Sequence, residues 1–528
     1  MGIYINPGNG SFNKIRKDRY VDKSGLIAVV NGTIDTNDFL SCISRPRRFG
    51  KTFAAAMLAA YYCTGCDSAP IFDSLEISAD PSYKEHMNQY NVLYMDITGF
   101  AGRDGLENLL SSIRRYLSAE LVKEFGEDIR NSETDEPGID TLLSAAVKKS
   151  GKKFIAIIDE WDCPIRDSSS TKELQKKYLE FLRSLFKNAN VTNDTFAAAY
   201  MTGILPIKKD GSQSAISEFR EYTIIEPGPY EPYIGFTEDE VMELCQKYDM
   251  DFAEMKRWYD GYSFENIKSI YNPNSVMRAI SNRKYRSYWE TSAAADSLLS
   301  YVSLDYAGLA DTVREVMADR PVRVNPRRFK NDTTSFYSKD DVLTLLIHFG
   351  YFSYDTESES IRIPNEEIRI EFADTLREMR HPDTIRRIQE SDKLIEDIVY
   401  KREDEVARAV EKVHKEEFSP LHYNNEQSLR SVIKLAFFAY KDKYSQLEEL
   451  PGGNGYADIV YIPKKYTDMP ILVIELKWDK SAETALDQIR RKDYPAVLKD
   501  RNEPIFLVGI SYDKDDADKK HSCVIEEL

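Results

Sequence analysis

Phe39-Leu40-Ser41-Cys42-Ile43-Ser44-Arg45-Pro46-Arg47-Arg48-Phe49-Gly50-Lys51-Thr52 is a short apolar run that opens into a basic turn. Phe53 to Tyr62, rich in Ala, Leu and Met, follows it. The pattern predicts a buried strand over 39–44, a turn, and a helix from Phe53. A strand-turn-helix unit of this kind lets backbone N–H groups and a helix N-terminus surround a phosphate, while a lysine reaches the outer phosphates and a Ser or Thr hydroxyl meets Mg2+. Gly50-Lys51-Thr52 matches the end of that loop. The generic GxxxxGK[ST] pattern fails at one fixed position, because Arg45, with Pro46 after it, stands where the first glycine belongs.

Working outward, Lys153-Phe154-Ile155-Ala156-Ile157-Ile158-Asp159-Glu160 is an apolar run ending in two carboxylates, as a parallel strand buried on both faces would. At its end Asp159 is placed to hold Mg2+ and Glu160 to polarise an attacking water. Other segments alternate in the manner of a doubly wound sheet. Asn91 to Thr98 reads as a strand, Leu106 to Leu121 as an amphipathic helix, Leu174 to Phe186 as a helix and Thr195 to Tyr200 as a strand. The last of these runs into Met201-Thr202-Gly203, where the Thr202 hydroxyl is either a sensor of the γ phosphate or a turn cap.

The 528 residues carry a net charge of −17 and six cysteines. That length implies about three domains: 1–284 around the phosphate loop, a connector over 285–380, and 381–528. No apolar stretch approaches the roughly 20 residues of a membrane span. The N-terminus lacks a basic start followed by an apolar core. The expectation is a cytoplasmic protein with free thiols. Cys63-Thr64-Gly65-Cys66 has metal-ligand spacing, but no second pair accompanies it to complete a zinc site. The acidity argues against a general nucleic-acid coat, so any such contact would use a local groove, as near Arg490-Arg491-Lys492.

The connector shows no catalytic constellation. Asp340 to His348 reads as a helix and Ser353 to Ile363 as a short strand pair, a winged-helix-like pattern that suits a lid on the nucleotide domain better than a DNA reader. His348, in an apolar run, reads as a core histidine. Asp383 to Glu411 reads as solvated helices.

The last third holds a second set of chemical groups. Glu426 begins the helix-like stretch Gln427 to Tyr440. Asp458 lies in Gly455-Tyr456-Ala457-Asp458-Ile459, and Glu475-Leu476-Lys477 ends the apolar run Ile471 to Ile474. Carboxylates on adjacent strands suit Mg2+ or Mn2+ with open positions for water and phosphate. Glu475 and Lys477, two apart on a strand, leave the same face. Lys477 is then placed to orient a water and to stabilise developing phosphorane charge.

These residues lie within a longer series: Tyr20-Val21-Asp22-Lys23, Arg45 to Thr52, Ile157-Ile158-Asp159-Glu160-Trp161-Asp162, Met201-Thr202-Gly203-Ile204, Gly235-Phe236-Thr237, Trp258-Tyr259-Asp260-Gly261-Tyr262 and Tyr271-Asn272-Pro273. The whole resembles bacterial AAA-ATPase-like proteins that carry a C-terminal PD-(D/E)XK nuclease-superfamily domain. The resemblance implies an α/β fold: a P-loop NTPase parallel sheet of AAA type, a winged-helix-like connector, and a restriction-endonuclease-like α/β domain. It implies that Arg45, Pro46, Arg47, Arg48, Phe49, Gly50, Lys51 and Thr52 are this family's own phosphate loop, that Asp162 supports the site, and that Gln488 and Tyr494 support the second one. It also implies ATP and Mg2+ as cofactors, nucleic acid as partner with DNA ahead of RNA, and scope for a homo-oligomer. Arg45, Arg47 and Arg48 would serve a neighbouring subunit or their own. The function this implies is ATP binding and hydrolysis controlling a Mg2+-dependent nuclease. The alternative is a nucleotide-switched binding or scaffold protein that recognises nucleic acid without cutting it.

Overall fold

Five strands form the first sheet: β1 (Leu40–Ser44), β2 (Asn91–Asp96), β3 (Phe154–Asp159), β4 (Phe196–Gly203) and β5 (Arg220–Tyr222). The computed structural model describes residues 2–130, 137–167, 169–187, 189–207, 209–210, 213–214, 216–289, 309–329, 338–378, 382–417, 432–433, 436–437, 444–452, 455–463, 469–478, 480–492, 498, 501, 503–512 and 520–528. The chain divides into two compact units, Met1–Leu298 with Arg323–Asn365, and Leu299–Val322 with Glu366–Leu528.

In the first unit the strand order is β2-β3-β4-β1-β5 and every pairing is parallel. From β1 the chain crosses to the far edge, walks back through β3 and β4, and then passes to the other side of β1. Neighbouring connections therefore diverge around β1, and in open α/β sheets a crevice at such carboxyl ends is where ligands bind. Strands β1, β3 and β4 are buried along their whole length, as a sheet covered on both faces requires. Helix α1 (Lys51–Tyr62) follows β1 directly and packs against β3. Helices α2 (Cys163–Arg166) and α3 (Lys172–Phe186) follow β3.

The strand expected over 91–98 ends at Asp96. There the Asp96 carboxylate accepts the Gly99 N–H at 3.0 Å and caps a helix over Ile97–Asp104, so Thr98 is helical. The helix expected over 106–121 begins as a 3-10 turn and becomes regular over Leu109–Phe125. The strand expected over 195–200 runs on to Gly203.

The first unit also contains helix α4 (Lys339–Phe349) and the antiparallel pair β6 (Ser353–Asp355) and β7 (Ser360–Arg362). Ser338 and Asp341 close a capping box at the start of α4, and Gly350 ends it in the left-handed conformation. His348 is buried beside the Phe329 ring. Two bonds anchor this segment to its neighbours in the unit: Tyr262 Oη donates to the Gly350 carbonyl at 2.7 Å, and Asn365 Nδ2 to the Asp260 carbonyl at 2.7 Å.

The second unit is built on a sheet of order β8-β9-β10-β11-β12: β8 (Tyr444–Gly452), β9 (Gly455–Pro463), β10 (Ile471–Trp478), β11 (Ile505–Tyr512) and β12 (His521–Glu527). Only β10 and β11 pair in parallel; the others are antiparallel. Alternation along the strands makes two cores. Ile459, Leu472, Ile474, Leu476, Val508 and Ile510 pack with residues of α5 (Pro382–Val399) and α6 (Glu403–Glu417), among them Leu394, Ile398, Val406 and Val410. On the other face Val460, Ile471, Val473 and Leu507 pack with Leu486 and Ile489 of α7 (Ala482–Lys492). Gly509 permits this approach, since a Cβ there would overlap the Ala482 carbonyl.

Gly261 tests the attachment of the α4 segment. Its φ is +112°, and a Cβ would overlap the Pro364 carbonyl. Gly261→Ala is expected to lower the stability of the first unit by at least about 1–3 kcal/mol, read as a lower urea midpoint; an unchanged midpoint would show that this contact is dispensable.

Candidate functional sites

At the carboxyl end of β1 the Arg45 N–H continues the ladder to the Gly203 carbonyl at 3.1 Å, and the chain then turns through Arg48 (φ 67°) and Gly50 (φ 93°) into α1. A Cβ at Gly50 would meet nothing within 4 Å, so the backbone conformation and not space asks for glycine there. Lys51 is buried, and its Nζ donates to the carbonyls of Arg45 at 3.1 Å and Pro46 at 2.9 Å. One side chain thus ties the start of the loop to the start of the helix. Thr52, the next residue, is exposed at the helix N-terminus, and its side chain acts on the Asp159 carboxyl.

The loop residues divide by role. Arg45 is fully buried: its guanidinium donates to the Ser44 and Tyr222 carbonyls at 2.9 and 3.2 Å and lies over the Phe264 ring. Burial pulls its pKa down to about 10. Pro46 and Phe49 are buried, Phe49 edge-on to Tyr262. A Cβ at Gly350 would come within 2.8 Å of Pro46, so the C-terminus of α4 stands against the loop. Arg48 donates to the Tyr288 carbonyl at 2.9 Å. Arg47 alone of the three arginines is exposed.

The acidic groups at the end of β3 sit in distinct environments. Burial pushes the Asp159 carboxyl up to about 6, against the Thr52 side chain, which favours the ion. Burial also acts to raise Glu160, but Lys51, Arg166 and Arg47 outweigh it and hold the carboxylate below its ordinary range. Glu160 Oε1 is 3.9 Å from Lys51 Nζ, and Arg166 bonds Glu160 Oε2. Asp162 is fully buried and accepts the Ile204 and Leu205 N–H groups at 3.1 and 2.9 Å, so it joins the exits of β3 and β4. Nearby, the Trp161 N–H donates to the Thr202 carbonyl at 3.0 Å. The Thr202 hydroxyl is buried with no hydrogen-bond partner among the described residues. Arg166, on α2, was not singled out from sequence. Its signal was there in outline: a cation four residues beyond Asp162 on a helical turn.

In the second unit Asp458, Glu475 and Lys477 come together. Antiparallel pairing of β9 with β10 sets Ile459 opposite Ile474 and Val460 opposite Val473. Asp458 and Glu475 therefore share the face that packs on α7. Asp458 Oδ2 accepts the Leu476 N–H at 2.8 Å, and Lys477 Nζ lies 3.0 Å from Glu475 Oε1. Gln488, reaching down from α7, bonds the same Oε1. Glu475 Oε2 is buried and accepts no hydrogen bond among the described residues. Burial, with Asp458 adding to it, raises the Glu475 pKa to about 7. Glu426 and Tyr494, expected at this site, lie outside the described residues. Among the described residues no group of three or more His, Cys, Asp or Glu is assembled for a metal. The Asp458 and Glu475 pair, with one buried carboxylate oxygen lacking a donor among the described residues, nevertheless suits a hard divalent cation with oxygen ligands.

Residues 7–212 match the family model described as predicted AAA-ATPase, and residues 424–522 match that of the PD-(D/E)XK nuclease superfamily. The chain thus carries an AAA-ATPase-like domain and, toward its C-terminus, a PD-(D/E)XK nuclease-superfamily domain. An uncharacterized protein from the vnfD 5' region of Azotobacter chroococcum mcd 1 is 22% identical over 531 residues, covering 96% of each chain. Among solved structures, a signal-transduction ATPase with a tetratricopeptide-repeat sensor from Pyrococcus horikoshii shares 12% identity at a TM-score of 0.27, over 79% of this chain and 58% of that one. Cdc6p of Pyrobaculum aerophilum shares 10% at a TM-score of 0.22, over 68% and 94%. The parallel first sheet and mixed second sheet agree with the α/β architecture expected from the sequence. No helix among the described residues is long and apolar enough to cross a membrane.

The raised Glu475 pKa has two consequences of defined sign. A carboxyl whose folded pKa lies above its unfolded value near 4.3 favours folding below that value, and this contribution disappears as pH rises through about 7. Any cation bound by the ionised carboxylate must displace that proton. Calorimetric Mn2+ titrations of the full chain are expected to give affinity that rises up to about tenfold from pH 6 to 8 with proton release, and both effects should vanish in Glu475→Gln. A pH-independent affinity for Mn2+ would contradict the assignment.

Proposed function

We propose that the chain binds and hydrolyses ATP at the loop ending in Lys51 and Thr52, and that the nucleotide state controls Mg2+-dependent cleavage of nucleic acid, DNA before RNA, at Asp458, Glu475 and Lys477. The observation that carries the first half is the buried Lys51 ammonium bridging both ends of the loop beside three carboxylates. Thr52, which favours the ionised form of Asp159, and Asp159 itself would hold Mg2+. Glu160, kept ionised by its cations, is suited to accept a proton from an attacking water. Lys51 balances phosphate charge, Asp162 fixes the spacing of β3 and β4, and Arg166 sets the position of Glu160. The proximity of Gly350 to Pro46 favours a lid role for the α4 segment over a DNA-reading one.

In the nuclease-like unit Asp458 and Glu475 would hold the divalent cation. When bound, that cation supplies a polarised water and neutralises phosphate charge. Lys477 is placed to steady the attacking oxygen and the charge that develops on the phosphorus oxygens. Gln488 holds Glu475 in place from α7.

Labelled single- and double-stranded DNA and RNA, incubated with Mg2+ or Mn2+ and with or without ATP, test both halves. Wild type should cut, Lys477→Ala should cut at least about 100-fold more slowly while still hydrolysing ATP, and Lys51→Ala should lose the response to ATP. Hydrolysis of ATP with no cutting under any condition would instead favour a nucleotide-switched binding protein.

A further inference from the structure

Helix α1, which starts at Lys51, ends at a pair of thiols that neither site uses. Cys63 is its C-cap, with its N–H bonded to the Ala59 carbonyl at 3.1 Å. Gly65 then adopts φ +79°, which turns the chain back and returns Cys66 over the helix end: its thiol donates to the Cys63 carbonyl at 3.2 Å, while the Cys63 thiol donates to the Thr64 carbonyl at 3.3 Å. Both sulfurs also receive N–H donors. Gly8 N–H reaches Cys63 Sγ at 3.3 Å, and Asn88 Nδ2 reaches Cys66 Sγ at 3.5 Å and the Cys63 carbonyl at 2.6 Å. The Ser68 hydroxyl is 3.6 Å from Cys66 Sγ, and Lys152 Nζ holds Thr64 in the same turn at 2.7 Å. Cys63 is buried and Cys66 is partly open to solvent. No third cysteine, histidine or carboxylate among the described residues completes a metal set with them.

We propose that Cys63 and Cys66 form a reversible thiol–disulfide site closed by oxidation with a hydroperoxide. Donors that favour a thiolate, partial exposure and an adjacent thiol are what a redox-active pair requires. The neighbouring Cys63 thiol, with the Ser68 hydroxyl and the Asn88 amide, holds the Cys66 thiol well below its ordinary pKa, while the neighbouring Cys66 and burial push Cys63 up. Cys66 is thus the attacking sulfur and Cys63 the resolving one. In the first step the Cys66 thiolate attacks the peroxide, an S–O bond forms, the O–O bond breaks and, in the case of hydrogen peroxide, water leaves, giving a sulfenic acid. In the second, Cys63 attacks that sulfur, the S–S bond forms, the S–O bond breaks and a second water leaves with the remaining thiol proton. The two thiols lose two electrons in total and the peroxide gains them. A small dithiol reverses the reaction by exchange. The disulfide closes the turn that ends the phosphate-loop helix.

The full chain would be treated with a small excess of hydrogen peroxide at neutral pH, alkylated, digested and mapped by mass spectrometry. The expected result is loss of two of the six alkylatable thiols, a Cys63–Cys66 linked peptide, and recovery of both thiols with dithiothreitol. Cys66→Ser should leave all remaining thiols alkylatable after peroxide, while Cys245→Ser, a buried cysteine elsewhere, should behave as wild type. Peroxide that leaves Cys66 reduced, drives it to a sulfinic acid beside a reduced Cys63, or links either to another chain would overturn the proposal.

Discussion

The buried ammonium of Lys51 is the constraint on which the first unit turns. A lone buried cation would be costly. This one is offset by two carbonyls of its own loop and by Glu160, Asp162 and Asp159, which oppose the downward pull of burial on its pKa. The compensation shapes the surroundings. Asp162 can be fully buried because it accepts two backbone N–H groups and faces Arg166, and Glu160 stays ionised because cations surround it. The exits of β1, β3 and β4 are thereby fixed relative to one another by hydrogen bonds and not by packing alone. The missing first glycine matters less in this arrangement. The Arg45 side chain leaves the loop for the protein interior, where it reaches the Ser44 and Tyr222 carbonyls and Phe264, and the left-handed turns fall later, at Arg48 and Gly50.

The second unit meets a similar electrostatic problem with the signs exchanged. Glu475 is buried beside Asp458, and Lys477 is close enough to relieve part of the cost but not all of it. The carboxyl therefore retains a proton near neutrality, and one of its oxygens has no donor among the described residues. Where the first site compensates a buried cation with fixed protein groups, the second is left short of positive charge. A divalent cation would make up that shortfall, which ties metal affinity to pH. The face carrying these groups is set by strand alternation alone, and Gly509 then lets α7 approach closely enough for Gln488 to reach Glu475.

Much of this was legible in the chain because it follows from period and local motif. The apolar run ending at Ser44, the Gly50-Lys51-Thr52 tail and the two-residue spacing of Glu475 and Lys477 each specify geometry from neighbouring residues. What was not legible depends on partners distant in sequence. Burial of the Arg45 guanidinium follows from Tyr222 and Phe264, which no local pattern links to it. The contact of Gly350 with Pro46 arises only once the α4 segment docks on the ATPase-like core. Arg166 is not marked out by its local pattern alone, because a cation on a helical turn is usually solvated and its role needs the buried pair Glu160 and Asp162 in place. The early end of β2 has a local cause that a run of apolar residues obscures: the Asp96 carboxylate caps a helix better than it continues a strand.

Equilibrium binding of a fluorescent ATP analogue to the full chain, wild type beside Lys51→Ala, tests the central claim most directly. If the buried lysine makes this loop a phosphate site, wild type binds in the presence of Mg2+, and Lys51→Ala, folded by circular dichroism, binds at least about tenfold more weakly, a loss of about 1.4 kcal/mol or more. Equal binding by the two proteins, or none by wild type, would contradict it.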